Sequence, residues 1–330
     1  MEIARFEISA AAPVRRAPDP GELARLTSQA AEYVEAGKAD ATLRAYRADW
    51  RHFETWCHIH GFLPLPAGPD VLALYLADFG GRQAAATLAR RLTSINKVHR
   101  AAGHPAPGLM EHLPVGETLK GIRRTHGTEQ HPKQPLFTAE LRVIADHLPD
   151  TLIGIRDRAL LLLGFAGAFR RSELVNVRLE DVGETEEGLV IRVRRSKTDP
   201  EGKGRQVAIP YGSSPLTCPV RSWRQWKEAA GLTAGPLFRR IDRHGCVNCR
   251  GLHRDSVGAI VKRAVKAAGL DPKLYAGHSL RAGLCTQAYV NGARELDIMR
   301  QTGHKSLETV RKYIRGRGLF RDNPAAKLGL

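Results

Sequence analysis

The chain has 330 residues, with 51 Lys and Arg against 34 Asp and Glu, for a formal net charge of +17. That length accommodates two domains with separate cores, and the positive surplus points to a polyanion, most simply nucleic acid, because neutralising phosphates drives such binding. A membrane protein is not expected, since no run approaches ~18 consecutive apolar residues. A secreted disulfide scaffold is not expected either: the first 20 residues lack an apolar signal core, and there are five cysteines, an odd number. The expected location is the cytoplasm, at the nucleoid if the source is bacterial.

Residues 1–20, rich in Ala, Pro and Arg and without periodicity, read as a flexible arm. A helix is predicted from Asp40, where Leu43, Tyr46, Trp50, Phe53 and Cys57 recur every third or fourth position. Gly61 ends it, and Pro64, Pro66 and Pro69 mark a loop before two further apolar helical runs, 71–79 and 84–102. Arg44, Arg47 and Arg51 on the first of these helices, and Arg90, Arg91 and Lys97 on the third, are the candidate nucleic-acid-binding residues. A solvated helix face is the alternative for any one of them. A basic, all-helical domain over 21–126 results.

Residues 127–137 are polar and carry two prolines, as in an interdomain linker. A helix then opens with Thr138 as N-cap and Glu140 in its first turn, and 155–169 is apolar enough to be a buried helix. Beyond Glu173 the period becomes two, with Leu189, Ile191 and Val193 on one face, a turn at 199–202 and a returning strand at 206–210. Helical patterns follow at 219–230, 256–268, 280–291 and 295–301. The expected fold class is mainly α: a helical bundle, then an α+β domain over 138–330 with a small antiparallel sheet.

Several residues of this second region suit a phosphodiester. His278-Ser279-Leu280-Arg281 places a histidine and an arginine one helical turn apart, Gly303-His304 lies 26 residues beyond, and Tyr313 follows nine residues later. Upstream stand Arg170-Arg171-Ser172-Glu173 and, at the end of the strand pattern, Lys197. Cations hold non-bridging oxygens, a phenol attacks phosphorus, and a proton donor covers the leaving oxygen. Each piece alone has a plainer reading: Arg170 as a helix cap, Lys197 as a solvated hairpin lysine, Tyr313 as a half-buried aromatic.

The joint order AFRRSEL, RSKTD, GHSLRAG and TGHKSLETVRKYI resembles the tyrosine recombinases, the phage integrase family, strongly over about 160–320 and more loosely over 40–125. The resemblance implies a SAM-like core-binding domain followed by the recombinase catalytic domain and its C-terminal tail, closed around DNA as a clamp crossed by the linker with its His131 and Lys133. It implies that Arg170 and Arg281 grip the scissile phosphate, that Lys197 protonates the departing 5′ oxygen, and that His278 acts as general acid/base toward the phenol. His304 would donate a hydrogen bond to a non-bridging oxygen, Glu173 would orient His278 or Arg170 from behind, and Tyr313 would attack to give a 3′-phosphotyrosyl link. The implied partner is double-stranded DNA with specific recombination sites, bound by a homotetramer that is monomeric when free, with no cofactor. An apolar tail pattern (Leu319, Phe320, Leu328, Leu330) would dock on a neighbouring protomer. Two departures stand out: Ala282 where many relatives have histidine, and Thr302 where leucine is commoner.

The expected activity is site-specific strand cleavage and rejoining through a Holliday junction. A type IB topoisomerase and a catalytically silent DNA clamp are the alternatives. His244, Cys246, Cys249 and His253 invite a zinc reading, but the histidines crowd the cysteines too closely for the usual ligand pairs, and a hairpin is expected there with no metal. The recognition sequence, the accessory proteins and the biological setting (integration, transposition, integron or dimer resolution) are not written in these patterns.

Overall fold

Apolar spacing of three and four along the first third of the chain builds helices that meet over one core. The computed structural model describes residues 19–37, 40–129, 132–196, 199, 201–314 and 328, with some side chains of the first helix and of Asp40 left out. The chain divides into two compact units, residues 1–130 and residues 131–330.

The first unit contains α1 (Pro20–Ala36), α2 (Asp40–Ile59), α3 (Pro69–Phe79), α4 (Ala85–Ala101) and α5 (Leu113–His126). Trp50, Phe53, Trp56 and Cys57 of α2 turn inward against Leu72, Tyr75 and Leu76 of α3, Leu88, Leu92 and Ile95 of α4, and Leu119 and Ile122 of α5. Burying each large apolar side chain contributes roughly 1.5–3 kcal/mol. Proline at the first turn of α3 and α5 presets the helical φ where an N–H has no partner to lose. Neither α1 nor α5 stands out in the sequence pattern, because α1 is polar on most sides and α5 carries few apolar positions.

Asp49 and His99, both buried in this unit, are paired. Asp49 accepts from Arg90 at 2.9 Å and from Ser94 Oγ at 3.0 Å. His99 accepts the Ala67 N–H at Nε2 (2.9 Å) and donates from Nδ1 to the Ile95 carbonyl (2.9 Å), which fixes its tautomer.

The second unit begins with α6 (Thr138–His147), whose N-cap is Phe137 rather than Thr138: the Glu140 carboxylate accepts the Phe137 N–H at 3.0 Å, moving the cap one residue earlier. Next come α7 (Leu152–Ala166) and the short α8 (Arg171–Asn176), then a 3-10 turn over Leu179–Asp181. Strands β1 (Val182–Thr185), β2 (Gly188–Val193) and β3 (Arg205–Pro210) form an antiparallel sheet in the order β1-β2-β3, with Ile191 opposite Val207 and Val193 opposite Arg205. β1, too short to alternate visibly, escapes the sequence pattern. α9 (Pro219–Ala229), the β4 (Arg239–Ile241) and β5 (Val247–Gly251) hairpin, and α10 (Arg254–Ala267) follow. The unit closes with α11 (Ser279–Val290), α12 (Glu295–Thr302) and α13 (Leu307–Ile314).

α7 is the central element, with Leu160, Leu161 and Leu163 in a core shared with Leu189, Ile209, Trp223, Trp226, Val261 and Leu280. Its charged Arg156, Asp157 and Arg158 are also buried; Asp157 is held between Arg156 at 2.8 Å and Arg263 of α10. α11 crosses so close to the chain before α6 that a Cβ on Gly283 would lie 1.7 Å from the Leu136 carbonyl oxygen, so only glycine fits there. A smaller cluster of Cys285, Ile298 and Val310, with Tyr289, Met299 and Tyr313 packed on it, joins α11, α12 and α13. No helix among the described residues is long and apolar enough to cross a membrane.

Candidate active site

The described positions singled out by sequence come from three places in the second unit: the α7–α8 turn, the N-terminus of α11, and the segment from the end of α12 into α13. The chain leaves α7 through Gly167 and Ala168, and Ala168 adopts φ +46°. Left-handed backbone costs a non-glycine residue roughly 1–2 kcal/mol. The turn aims the Ala168 carbonyl at Arg281, whose Nη1 donates to it at 2.6 Å. Arg170 then caps α8, and the Glu173 carboxylate accepts both its backbone N–H at 3.0 Å and its Nη1 at 2.6 Å. Ser196 Oγ takes a second bond from Arg170 Nη1 at 2.8 Å, tying the α8 cap to the end of β2.

Glu173 is the hub behind these cations. Its side chain is fully shielded and also accepts from Arg205 Nη2 of β3 at 3.2 Å. Burial pushes its carboxyl upward, but the Arg170 backbone and side-chain bonds outweigh that and hold it below the usual carboxylate range. Arg205 reaches on to the Gln301 carbonyl at 2.9 Å. Gln301 in turn donates to the carbonyls of Ala166 (2.9 Å) and Ala208 (3.1 Å), fastening α12 to the end of α7 and to β3. Gly303 follows at φ +66°, and a Cβ there would lie 2.6 Å from Arg205 Nε, so both its conformation and its neighbour demand glycine.

Arg281 is wholly buried, and its Nη2 lies 2.7 Å from His304 Nε2. Its Nε is buried without a hydrogen-bond partner among the described residues. Burial and the neighbouring Arg170 both press its pKa down. His304 is 8% exposed; burial first, then Arg281 and Arg170, lower its pKa to about 3, so it is neutral at physiological pH. Its Nε2 faces the Arg281 guanidinium. Arginine can only donate, so Nε2 accepts.

Tyr313 sits on the inner side of α13, half-buried, with its hydroxyl 2.8 Å from His278 Nε2 and its ring 5.4 Å from that of His304. Burial raises its pKa, and Arg281 and Arg170 pull against that rise. His278 is open to solvent at one edge, yet protein crowding and then the cations Arg281, Arg170 and Arg171 lower its pKa, leaving a neutral ring beside the phenol. The arrangement offers a hydroxyl nucleophile, a proton acceptor and two guanidinium groups within one pocket of positive charge. Arg170, Glu173, His278, Arg281, His304 and Tyr313 are thus brought together, whereas Lys197 lies outside the described residues.

The family model of the phage integrase family matches residues 136–317, more than half of the chain. A relative, the integrase/recombinase xerD homolog of Selenomonas ruminantium, is 43% identical over 305 residues, covering 91% of this chain and 88% of its own. The chain belongs to the phage integrase family, the tyrosine recombinases. Two solved members share the fold. The Tn1549 transposon integrase, solved in complex with transposon right end DNA, superposes with a TM-score of 0.65 at 14% identity, over 91% of this chain and 96% of that one. A lambda integrase dimer bound to a COC′ core site gives 0.58 at 17% identity, over 90% and 96%.

Sequence reasoning about this tyrosine recombinase missed Arg205, Gln301 and Ala168, and treated Thr302 only as a departure. Arg205 opens a strand and Gln301 ends a helix, positions where a polar side chain is ordinary, so no periodic or motif signal marks them. The hairpin expected around the Cys246 and Cys249 segment is present as β4 and β5. At its turn, Asp242 Oδ1 accepts the N–H groups of His244 (2.8 Å) and Cys246 (2.9 Å), while Cys246 and Cys249 are exposed and His253 caps α10. No group of three or more His, Cys, Asp or Glu is gathered for a metal among the described residues.

In the first unit, Arg44, Arg47 and Arg51 are exposed along α2. Arg90 is half-exposed and paired with Asp49. Lys97 Nζ lies 4.6 Å over the Tyr46 ring, joining α4 to α2. Arg91 differs from the expected surface cation: it is 8% exposed and donates to the Tyr75 hydroxyl at 3.1 Å, beside Asp49. Of the tail residues, Leu319, Phe320 and Leu330 lie outside the described residues, and Leu328 is exposed.

Proposed function

We propose that this recombinase cleaves and rejoins specific DNA sites through a 3′-phosphotyrosyl intermediate, exchanging strands by way of a Holliday junction. The observation that carries this reading is the Tyr313 hydroxyl at 2.8 Å from His278, in the same pocket as Arg281 and Arg170 of its own chain. Tyr313 Oη attacks phosphorus, the bond from phosphorus to the 5′ oxygen breaks, and the phenolic proton passes to neutral His278 Nε2. Arg170 and Arg281 bear the charge that grows on the equatorial oxygens. Lys197, by its place in the RSKTD motif, protonates the departing 5′ oxygen. Rejoining reverses each transfer with a 5′ hydroxyl from another strand, and the phosphotyrosyl bond conserves the energy, so no nucleotide is spent.

Duplex DNA is the partner, with Arg44, Arg47, Arg51, Arg90 and Lys97 of the first unit as its backbone contacts; Arg91 leaves that set because it is committed inside the bundle. The domain limits 21–126 and 138–330 frame these two roles, with 127–137 between them. The assembly on DNA is a homotetramer of otherwise monomeric chains, and the setting is the cytoplasm, where the substrate lies.

The test is a nicked suicide duplex carrying a site selected from random DNA. Wild type should leave a denaturant-resistant protein–DNA adduct, and Tyr313→Phe should leave none. An adduct from Tyr313→Phe would overturn the reading. Relaxation of plasmid lacking a site, without strand exchange, would replace it with a topoisomerase.

A further inference from the structure

Arg171 opens α8 directly after Arg170, yet the two guanidinium groups have different surroundings. The Arg170 side chain is 16% exposed and spent on Glu173 and Ser196, whereas that of Arg171 is 46% exposed. The methylene stem of Arg171 lies on the backbone of Gly277, the residue before His278. A Cβ on Gly277 would come within 2.6 Å of Arg171 Cδ and 2.9 Å of its Cγ, so glycine is needed there for closeness. The stem is thereby seated at the edge of the reaction pocket. Its charge is felt inside: burial, then Arg281, Arg170 and Arg171, lower the His278 pKa.

The head is held far less firmly than the stem. Nη1 lies 3.3 Å from Asp255 Oδ1, in the first turn of α10, and that carboxylate is itself 65% exposed. Asp255 has other support, since its Oδ2 is 3.3 Å from His253 Nδ1 and a negative charge is favoured in the first turn of a helix. An ion pair between two exposed side chains contributes little, because water and salt screen it. A guanidinium exchanges such a partner readily for a phosphate, to which it can bond through two parallel N–H groups. Arg170, Arg205 and Arg281 are committed to protein acceptors around the pocket, while Arg171 keeps donors open to water.

We infer that Arg171 binds a backbone phosphate of the DNA flanking the scissile one, giving up Asp255 to do so. The inference rests on the recombinase reading for its ligand. A duplex whose scissile phosphate lies at Arg170 and Arg281 brings the neighbouring phosphodiesters to the pocket's edge, where Arg171 stands. Arg171 thus anchors the strand beside the reacting bond, and Asp255 is the acceptor it holds while no DNA is bound.

The test is binding of an un-nicked duplex carrying the selected site, measured at several salt concentrations. R171Q should lower the slope of log K against log salt by about 0.9, the change for one phosphate contact, and R171K should keep the wild-type slope. R171Q/D255N has the net charge of wild type, so it separates a contact from a general field: its slope should stay as low as that of R171Q. A wild-type slope in R171Q, or its return in the double variant, overturns the inference. Urea unfolding of each variant should keep the wild-type midpoint, because both side chains are exposed. Binding is read without cleavage, so a wild type that binds the duplex but forms no adduct counts against the recombinase reading and not against the Arg171 contact.

Discussion

The Tyr313 hydroxyl and His278 Nε2 stand 2.8 Å apart, and the two rings have opposite proton preferences: burial keeps the phenol protonated, while crowding and nearby cations keep the imidazole neutral. A neutral imidazole beside a protonated phenol is a base poised next to its acid. Cleavage therefore requires deprotonated His278, so its rate should rise with pH through a midpoint below the ordinary histidine value of ~6.5 and level off at neutrality. His278→Gln should lose that acidic limb and slow adduct formation about a hundredfold. Single-turnover trapping across pH checks this, and a midpoint at or above the ordinary value would contradict it.

His304 carries a stability consequence of its own. Its folded pKa, about 3, is below the unfolded value, so at acid pH the unfolded chain binds a proton that the folded chain refuses. The contribution is full above ~6.5 and is lost as pH falls from there toward the folded value, at about 1.4 kcal/mol per pH unit. Denaturant unfolding between pH 6 and 4, which lie within that ~6.5-to-folded window, should show this one-proton slope in wild type. It should be missing in His304→Gln.

Glu173 neutralises Arg170 and Arg205 at once from a fully shielded position. Removing one partner of a buried ion pair leaves an uncompensated charge, a loss of roughly 3–5 kcal/mol. Glu173→Gln keeps the shape and should still destabilise by about 3 kcal/mol in urea unfolding. It should also slow cleavage, because Arg170 loses the carboxylate that aims it. A variant as stable as wild type would mean that the Ser196 bond alone holds Arg170.

Much of this site is legible in the sequence because its motifs are contiguous. GHSLRAG puts His278 at the N-cap of α11 and Arg281 in its first turn, and TGHKSLETVRKYI carries His304 just past the end of α12 and Tyr313 in α13. Helices α2, α3 and α4 are equally readable, since Trp50, Phe53, Leu72, Leu76, Leu88 and Leu92 repeat at helical spacing over a shared core. What supports the motifs is not readable. Arg205 reaches Glu173 and Gln301 across 32 and 96 positions of sequence, contacts that only the fold creates. Arg91 looks like any cation on a basic helix until packing turns it toward Tyr75 and Asp49. Thr138 yields the N-cap to Phe137 because Glu140 captures the earlier N–H, a choice of one residue that propensity does not resolve.

Gly283 and Gly303 separate two reasons for glycine. Gly283 has ordinary φ but meets the Leu136 carbonyl, so Gly283→Ala must push α11 away from that strand of chain. Gly303 has φ +66° and also faces Arg205 Nε and Cδ. Asparagine tolerates left-handed backbone, so Gly303→Asn relieves conformational strain but not the contact. Both Gly303→Ala and Gly303→Asn should destabilise by at least ~1 kcal/mol and impair cleavage. Rescue by asparagine would show that conformation alone matters.

The exposed and buried arginines of the first unit should respond differently to alanine. Arg51 stands on the open face of α2, and if it neutralises a backbone phosphate, Arg51→Ala should lower the slope of log K against log salt by about 0.9. Its folding stability should stay within about 0.5 kcal/mol of wild type. Arg91 is enclosed, bonded to Tyr75 and close to Asp49, so Arg91→Ala strips charge compensation from a buried carboxylate and leaves a cavity under α3. It should lower unfolding stability by roughly 2–4 kcal/mol while leaving the salt slope of the folded fraction unchanged. Binding titrations at several salt concentrations, paired with urea unfolding of the same variants, distinguish the two. An Arg91→Ala protein with wild-type stability and a reduced salt slope would place that guanidinium on DNA after all.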